Sequence, residues 1–191
     1  YKNPEATADT IDSEGWLHSG DKGEIDADGY VKITGRIKEL YVSSGGKNIA
    51  PLVIEETMKS IPMVSQCMLI GDGRKYCSAL FTLDIGAILR DKHGMDPAKI
   101  PKDPAVQITT LEGFGKTVSD YTDSEEIFNE MQAEVTRLNG QFSNPEQIKK
   151  FTILPRDLNV DFGELTPTLK IRRIQIRENW SAEIEAMYEG A

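Results

Sequence analysis

The chain has 191 residues, 28% of them charged and 39% hydrophobic, with a formal net charge of −9. That length suits one well-buried domain, or a domain plus a further piece, since a domain of about 150 residues buries roughly 70% of its unfolded surface. The acidic balance argues against a nucleic-acid-binding protein, whose footprint is a basic face, but not against a nucleotide ligand, whose phosphates need only a few local cations or backbone donors.

No run of about eighteen apolar residues is present to span a membrane, and no signal peptide is visible. Residues 1–14 are polar and acidic without a sustained period and read as a leading loop. Asp26-Ala27-Asp28-Gly29 is a turn signal between Gly23-Glu24-Ile25 and Tyr30-Val31-Lys32-Ile33-Thr34, which predicts a β-hairpin. A third apolar run, Leu40-Tyr41-Val42, leads into a flexible Ser43-Ser44-Gly45-Gly46 loop. Pro51 opens a short helix through Lys59. Val64–Ile70 and Tyr76–Leu83 read as strands around the turn Gly71-Asp72-Gly73-Arg74, and Ile85–His93 as a helix stopped by Gly94.

Residues 94–122, with three prolines and two further glycines in the stretch, lack a period and read as an irregular, mobile insertion outside the core. Asp123-Ser124 caps a helix with Ile127, Phe128, Met131, Val135 and Leu138 on one side, ending at Gly140. Phe151–Leu154 is a strand closed by Pro155. Ile176, Trp180, Ile184, Met187 and Tyr188 define one face of a C-terminal helix packed on a sheet. Strands interleaved with helices predict an α+β domain with a small sheet, α/β being the neighbouring class.

Closing the hairpin would bring Asp21 and Arg36 together, a carboxylate acceptor and a guanidinium fork able to face one polyhydroxylated ligand such as a ribose. Lys170 stands at the end of the turn-rich stretch Asp161–Pro167, where a flexible ammonium could reach outward. Cys67 and Cys77 lie in apolar runs and read as reduced core residues. His18 reads as structural. Glu55-Glu56 and Glu125-Glu126 read as solvated helix faces. Gly113-Phe-Gly-Lys116 lacks the spacing of a phosphate loop, and no cluster has metal-ligand spacing.

The motifs Gly15-Trp-Leu-His-Ser-Gly-Asp21, Gly35-Arg-Ile-Lys-Glu-Leu-Tyr-Val-Ser-Ser-Gly-Gly-Lys-Asn-Ile-Ala-Pro51 and Gly163-Glu-Leu-Thr-Pro-Thr-Leu-Lys170 occur in that order. The chain resembles the adenylate-forming enzymes at these residues, with Ser19 in place of the usual threonine. The last motif and the long insertion at about 94–145 look most like the long-chain fatty acid–CoA ligase branch. The resemblance implies Lys170 as the catalytic lysine of acyl-adenylate formation, Asp21 and Arg36 as contacts to the adenylate ribose, and Lys38 as the hinge. It implies Gly46 as the glycine beside which the pantetheine arm of CoA passes. Lys47 lies near the phosphates or in a solvated loop. It implies ATP, CoA and a fatty acid as substrates, with magnesium held through a larger N-terminal domain whose phosphate loop is absent here.

On that reading residues 1–36 end the N-terminal domain and 37–191 form a mobile C-terminal domain. The start at Tyr1, just ahead of a motif, predicts a piece of a longer protein, inactive alone. A cytoplasmic location is expected, with peripheral membrane contact possible for the full-length protein. A carrier-protein-linked adenylation domain and a non-catalytic interaction module are the alternatives. The Asn-Gly-Lys-Val-Asp wording usual for the first is absent, and retention of Asp21, Arg36 and Lys170 counts against the second.

Overall fold

A computed structural model describes residues 2–42 and 46–190; the loop expected at 43–46 therefore lies mostly outside the described residues. At its centre is a three-stranded sheet of β5 (Val64–Ile70), β6 (Cys77–Leu83) and β7 (Ile148–Ile153), in that spatial order. β5 and β6 form an antiparallel pair around the expected turn, which the Arg74 N–H closes onto Gly71 O at 3.0 Å. β7 returns parallel to β6, pairing Ala79 with Phe151 and Phe81 with Ile153. A parallel return requires a crossover, and the whole stretch from the end of β6 to β7 serves as one.

Side chains alternate across this sheet with period two. Cys67, Leu69, Ala79 and Phe81 enter one apolar cluster, and Met68, Ile70 and Leu80 enter the other. Both faces are covered, which is why β5 and β6 read as nearly continuous apolar runs. The first face is packed by α2 (Pro51–Met58), α3 (Ile85–Asp91) and α6 (Glu125–Asn139) through Ile54, Met58, Ile88, Met131 and Val135. The second is covered by α7 (Arg173–Asn179) and α8 (Ser181–Ala186) through Ile176, Trp180 and Ile184. Cys67 and Cys77 are free and buried as expected, and burial pushes both thiols up.

Ahead of this body stand α1 (Pro4–Thr10), the hairpin β1 (Asp21–Ile25) with β2 (Val31–Arg36), and the short ladder β3 (Tyr41–Val42) with β4 (Asn48–Ile49). The hairpin turn is held by Asp26, whose carboxylate accepts from the Asp28 and Tyr30 N–H groups at 3.0 and 2.9 Å, with Gly29 at φ +87°. Residues 4–10 are a helix rather than a loop. Asn3 caps it by accepting from Ala6 N–H, and Pro4 supplies the preset φ of a first turn. No residue of α1 is buried, so no apolar stripe announced it.

Three further expectations are corrected. The stretch 94–122 contains α4 (Pro104–Gly113) and α5 (Ser119–Thr122), and Leu111 and Tyr121 enter the core. Asp103 caps α4 and Pro104 starts it, so the proline taken as a breaker is an N-terminal signal; one buried residue in α4 leaves no period to read. The C-terminal helix is two short helices, interrupted at Trp180 (φ −117°, ψ 29°). The carboxylate pair at 55–56 is not a solvated face: Glu56 is exposed, but Glu55 is buried.

Candidate functional site

Pairing of β1 with β2 sets Asp21 opposite Arg36, and Arg36 Nε lies 3.7 Å from Asp21 Oδ1. The hairpin therefore brings the two expected ligand contacts side by side, both open to solvent. Such an exposed pair contributes at most about 1 kcal/mol to stability, so it is available to exchange partners. His18 contacts Asp12 at 3.0 Å; the backbone N–H of Trp16 and the imidazole together hold the Asp12 carboxyl below the usual carboxylate range.

Lys38 lies in a 3-10 turn, Ile37–Glu39, directly after β2, and its side chain is exposed. Gly46 has φ +81°, and a Cβ placed there would meet nothing within 4 Å, so the backbone is open on that side. Lys47 is held: its ammonium donates to Ser143 Oγ at 2.6 Å and to Glu146 Oε2 at 2.8 Å. Glu146 also closes a capping box on Ser143. Although burial opposes ionisation of Glu146, these donors keep its carboxyl below the ordinary value.

Lys170 is carried on a tight hairpin. Leu165 and Ile171 bridge across it, Thr166 N–H donates to Lys170 O at 2.8 Å, and Lys170 N–H donates to Thr166 Oγ1 at 3.0 Å. Leu169 turns the chain with φ +60°, an uncommon conformation for a branched aliphatic residue. The Lys170 side chain is exposed, and no ion pair is found for its ammonium among the described residues.

Under the hairpin sits Glu164, with no exposed surface. It accepts from Arg156 through both nitrogens of the fork at 2.7 and 2.8 Å, from Asn159 N–H at 3.0 Å, from Asn179 Nδ2 at 3.1 Å and from Trp180 Nε1 at 2.8 Å. Burial pushes its carboxyl up, but the Arg156 guanidinium and the other donors outweigh burial and leave it below the ordinary value. This anchor lies inside the motif that carries Lys170, yet its donors come from several loops and helices, so spacing alone did not reveal it.

The other end of the hairpin runs into Arg173, whose fork grips buried Glu55 at 2.6 Å on both oxygens. Glu55 also accepts from Leu69 N–H at 2.7 Å. Between the Ile37–Glu39 turn and α7 a cleft of about 490 Å³ is lined by Lys38, Tyr41, Asp72, Arg172 and Arg177. A separate, mainly apolar cavity of about 410 Å³ among Ile61, Met63, Ile88 and Ile127 adjoins the opposite core cluster from the one under the Lys170 hairpin, and carries none of these residues.

The described residues thus comprise a hairpin joined through an exposed turn to a small α+β body that carries a lysine on a braced loop. Residues 38–96 match the family described as the AMP-binding enzyme C-terminal domain, and the chain is a homologue of long-chain-fatty-acid–CoA ligases over nearly its whole length. It is 38% identical over 195 residues to the ligase ACSBG1 of Mus musculus, covering 99% of this chain and 27% of that protein. It is 36% identical over 188 residues to the ligase FadD15 of Mycobacterium tuberculosis, covering 98% and 29%. The chain thus spans a little over a quarter of the length of the curated relatives it matches.

Among solved structures, the adenylation domain of a carboxylate reductase from Mycobacterium chelonae superposes with a TM-score of 0.70 at 21% identity, over 98% of this chain and 25% of that one. The corresponding domain from Segniliparus rugosus, solved with AMP and a co-purified carboxylic acid, gives 0.71 at 19% identity, over 98% and 26%. At such identities the likeness shows the fold.

Proposed function

We propose that this chain is the C-terminal part of an ATP-dependent long-chain fatty acid–CoA ligase: residues 1–36 complete the adenylate site of a larger N-terminal domain, and 37–191 form a small domain that turns about Lys38. The observation that carries the reading is the identity with such ligases along nearly the whole chain, which favours free CoA over a carrier protein as acyl acceptor. The site geometry adds to it. Asp21 and Arg36 stand adjacent at the foot of the hairpin, suited to the ribose hydroxyls of an adenylate, and Lys170 is exposed on its loop.

In the first half-reaction a carboxylate oxygen bonds the α-phosphorus of ATP while the bond to the bridging oxygen breaks and pyrophosphate leaves. Lys170 supplies positive charge where negative charge builds, a contribution of about 2.7–4 kcal/mol for a preorganised donor. In the second, the CoA sulfur bonds the acyl carbon, the acyl–phosphate bond breaks, AMP departs and the thiol proton goes to solvent. Turning about Lys38 carries the Lys170 loop away and brings the Gly46 backbone to the thiol's path, the kind of change absorbed at a few loop positions. Lys47 would have to leave Glu146 to meet a phosphate of CoA. Magnesium, which accompanies ATP on this reading, is assigned to the larger N-terminal domain.

The test is Lys170→Ala in the complete ligase, with the half-reactions followed separately. Acyl-adenylate formation is expected to fall about 10²–10³-fold, while CoA acylation from supplied acyl-adenylate is largely kept. Equal loss of both, or no loss, overturns the role. The chain by itself is expected to turn over no fatty acid with ATP and CoA.

A further inference from the structure

The Lys170 hairpin is fixed at both feet by charged groups drawn from elsewhere in the fold. Glu164 is held at the first by Arg156, Asn179 and Trp180, and Arg172 N–H donates back to Glu164 O at 2.8 Å across the base. Arg173 is held at the second by buried Glu55. Arg173 has a second carboxylate within reach: its Nε lies 3.6 Å from an oxygen of Glu39, the residue that follows Lys38 in the proposed hinge turn. One guanidinium therefore joins the segment leaving the lysine hairpin, the buried end of α2 and the turn about which the domain is proposed to pivot.

Buried ion pairs are a poor way to gain stability, because desolvation offsets much of their attraction and an apolar replacement often does as well. What they impose is geometry, since a forked guanidinium fits two carboxylate oxygens in one plane and leaves little freedom of register. Two such forks bracket a loop that bears an exposed lysine, and one of them touches the hinge.

We infer that Arg173 is a positioning residue that, through Glu39 and Glu55, ties the Lys170 hairpin to the hinge turn. This rests on the ligase reading for its consequence in catalysis, though not for the linkage itself. With Glu39 held, rotation is confined to Lys38 and the residues before it, and the hairpin follows the turn as one body. Without the tie, the turn and the hairpin move separately, and the lysine meets the α-phosphate in a smaller fraction of closures.

Two measurements test it, each with Glu39→Gln, which keeps the size of a partly exposed side chain, and with Arg173→Lys, which keeps the charge and loses the fork. The first needs no activity: amide hydrogen exchange in the 191-residue chain. Both variants are expected to speed exchange at the amides of Thr166, Lys170 and Arg172 while leaving β6 unchanged. Unchanged exchange in the hairpin for Glu39→Gln overturns the linkage whatever the protein's activity.

The second measurement uses the complete ligase and its two half-reactions. Acyl-adenylate formation is expected to fall about three- to fivefold for Glu39→Gln, the scale of one partly exposed ion pair, and about tenfold or more for Arg173→Lys. Acylation of CoA from supplied acyl-adenylate should stay within about twofold. Adding Glu39→Gln to Lys170→Ala should give no further loss, because the tie acts through the lysine. Equal loss in both half-reactions, or additive loss, overturns the positioning role. A wild-type enzyme that forms no acyl-adenylate removes the ligase reading and with it the catalytic consequence, and the exchange result then decides the linkage alone.

Discussion

Glu164 is the residue on which most of the lysine hairpin's geometry converges, and its ionisation makes that geometry dependent on pH. Burial opposes the charge, but Arg156, Asn179 and the Asn159 N–H hold the folded carboxyl below its ordinary value. A carboxyl lowered on folding adds stability at pH values above its unfolded value, near about 4.3, and loses that contribution as pH falls through the lower folded value. Glu164→Gln is therefore expected to cost about 3–5 kcal/mol at neutral pH, the scale for breaking a buried pair from one side. It should also flatten the loss of stability in urea melts between pH 5 and pH 3. A variant as acid-sensitive as the wild type would place that sensitivity elsewhere. Glu55 teaches a related lesson about legibility. Its pairing with Glu56 in a helix reads as a charged surface, whereas the residue that neutralises it lies far along the chain at Arg173.

At the scale of elements, helices whose apolar residues repeat were readable and those with a single buried contact were not. α6 places Ile127, Met131, Val135 and Leu138 in the core and is capped by Ser124, which accepts from Ile127 N–H at 3.4 Å. Phe128, expected on the same side, is 41% exposed, yet it stacks on Phe151 with ring centroids 4.7 Å apart. α4 buries only Leu111, so its sequence shows no stripe and its proline and glycines dominate the reading. Leu111→Ala is expected to cost about 2–5 kcal/mol in denaturant melts, as for a fully buried leucine. Val106→Ala, on the same helix at 47% exposure, should change stability by less than about 0.5 kcal/mol. Equal small effects would return α4 to the periphery.

For the whole molecule, exposed apolar side chains are concentrated ahead of the small body. Trp16, Ile25, Tyr30 and Val31 are 70%, 71%, 74% and 69% exposed, and α1 and β1 bury no residue. A hairpin with apolar side chains open on its surface is marginal by itself and fits the proposal that residues 1–36 belong to the edge of a larger domain. Removing residues 1–36 is accordingly expected to leave the remaining chain with one cooperative thermal transition, shifted by no more than about 2–4 °C, the equivalent of about 1 kcal/mol for a domain of roughly 150 residues. Loss of cooperative melting would show that the hairpin is part of the small domain's core.

Local turn chemistry, capping and short-range periodicity were enough to read the hairpin with its meeting of Asp21 and Arg36, β5 and β6, α2, α6, and the order of the three motifs that carry Asp21, Arg36, Lys38 and Lys170. Long-range packing was needed to show that Lys47 is engaged by Glu146, that Leu111 and Tyr121 enter the core, and that Glu164 and Arg173 fix the lysine hairpin. The reason is physical. A buried charge is tolerable only when its partner is present, and here that partner is supplied by an element whose distance along the chain carries no periodic signal.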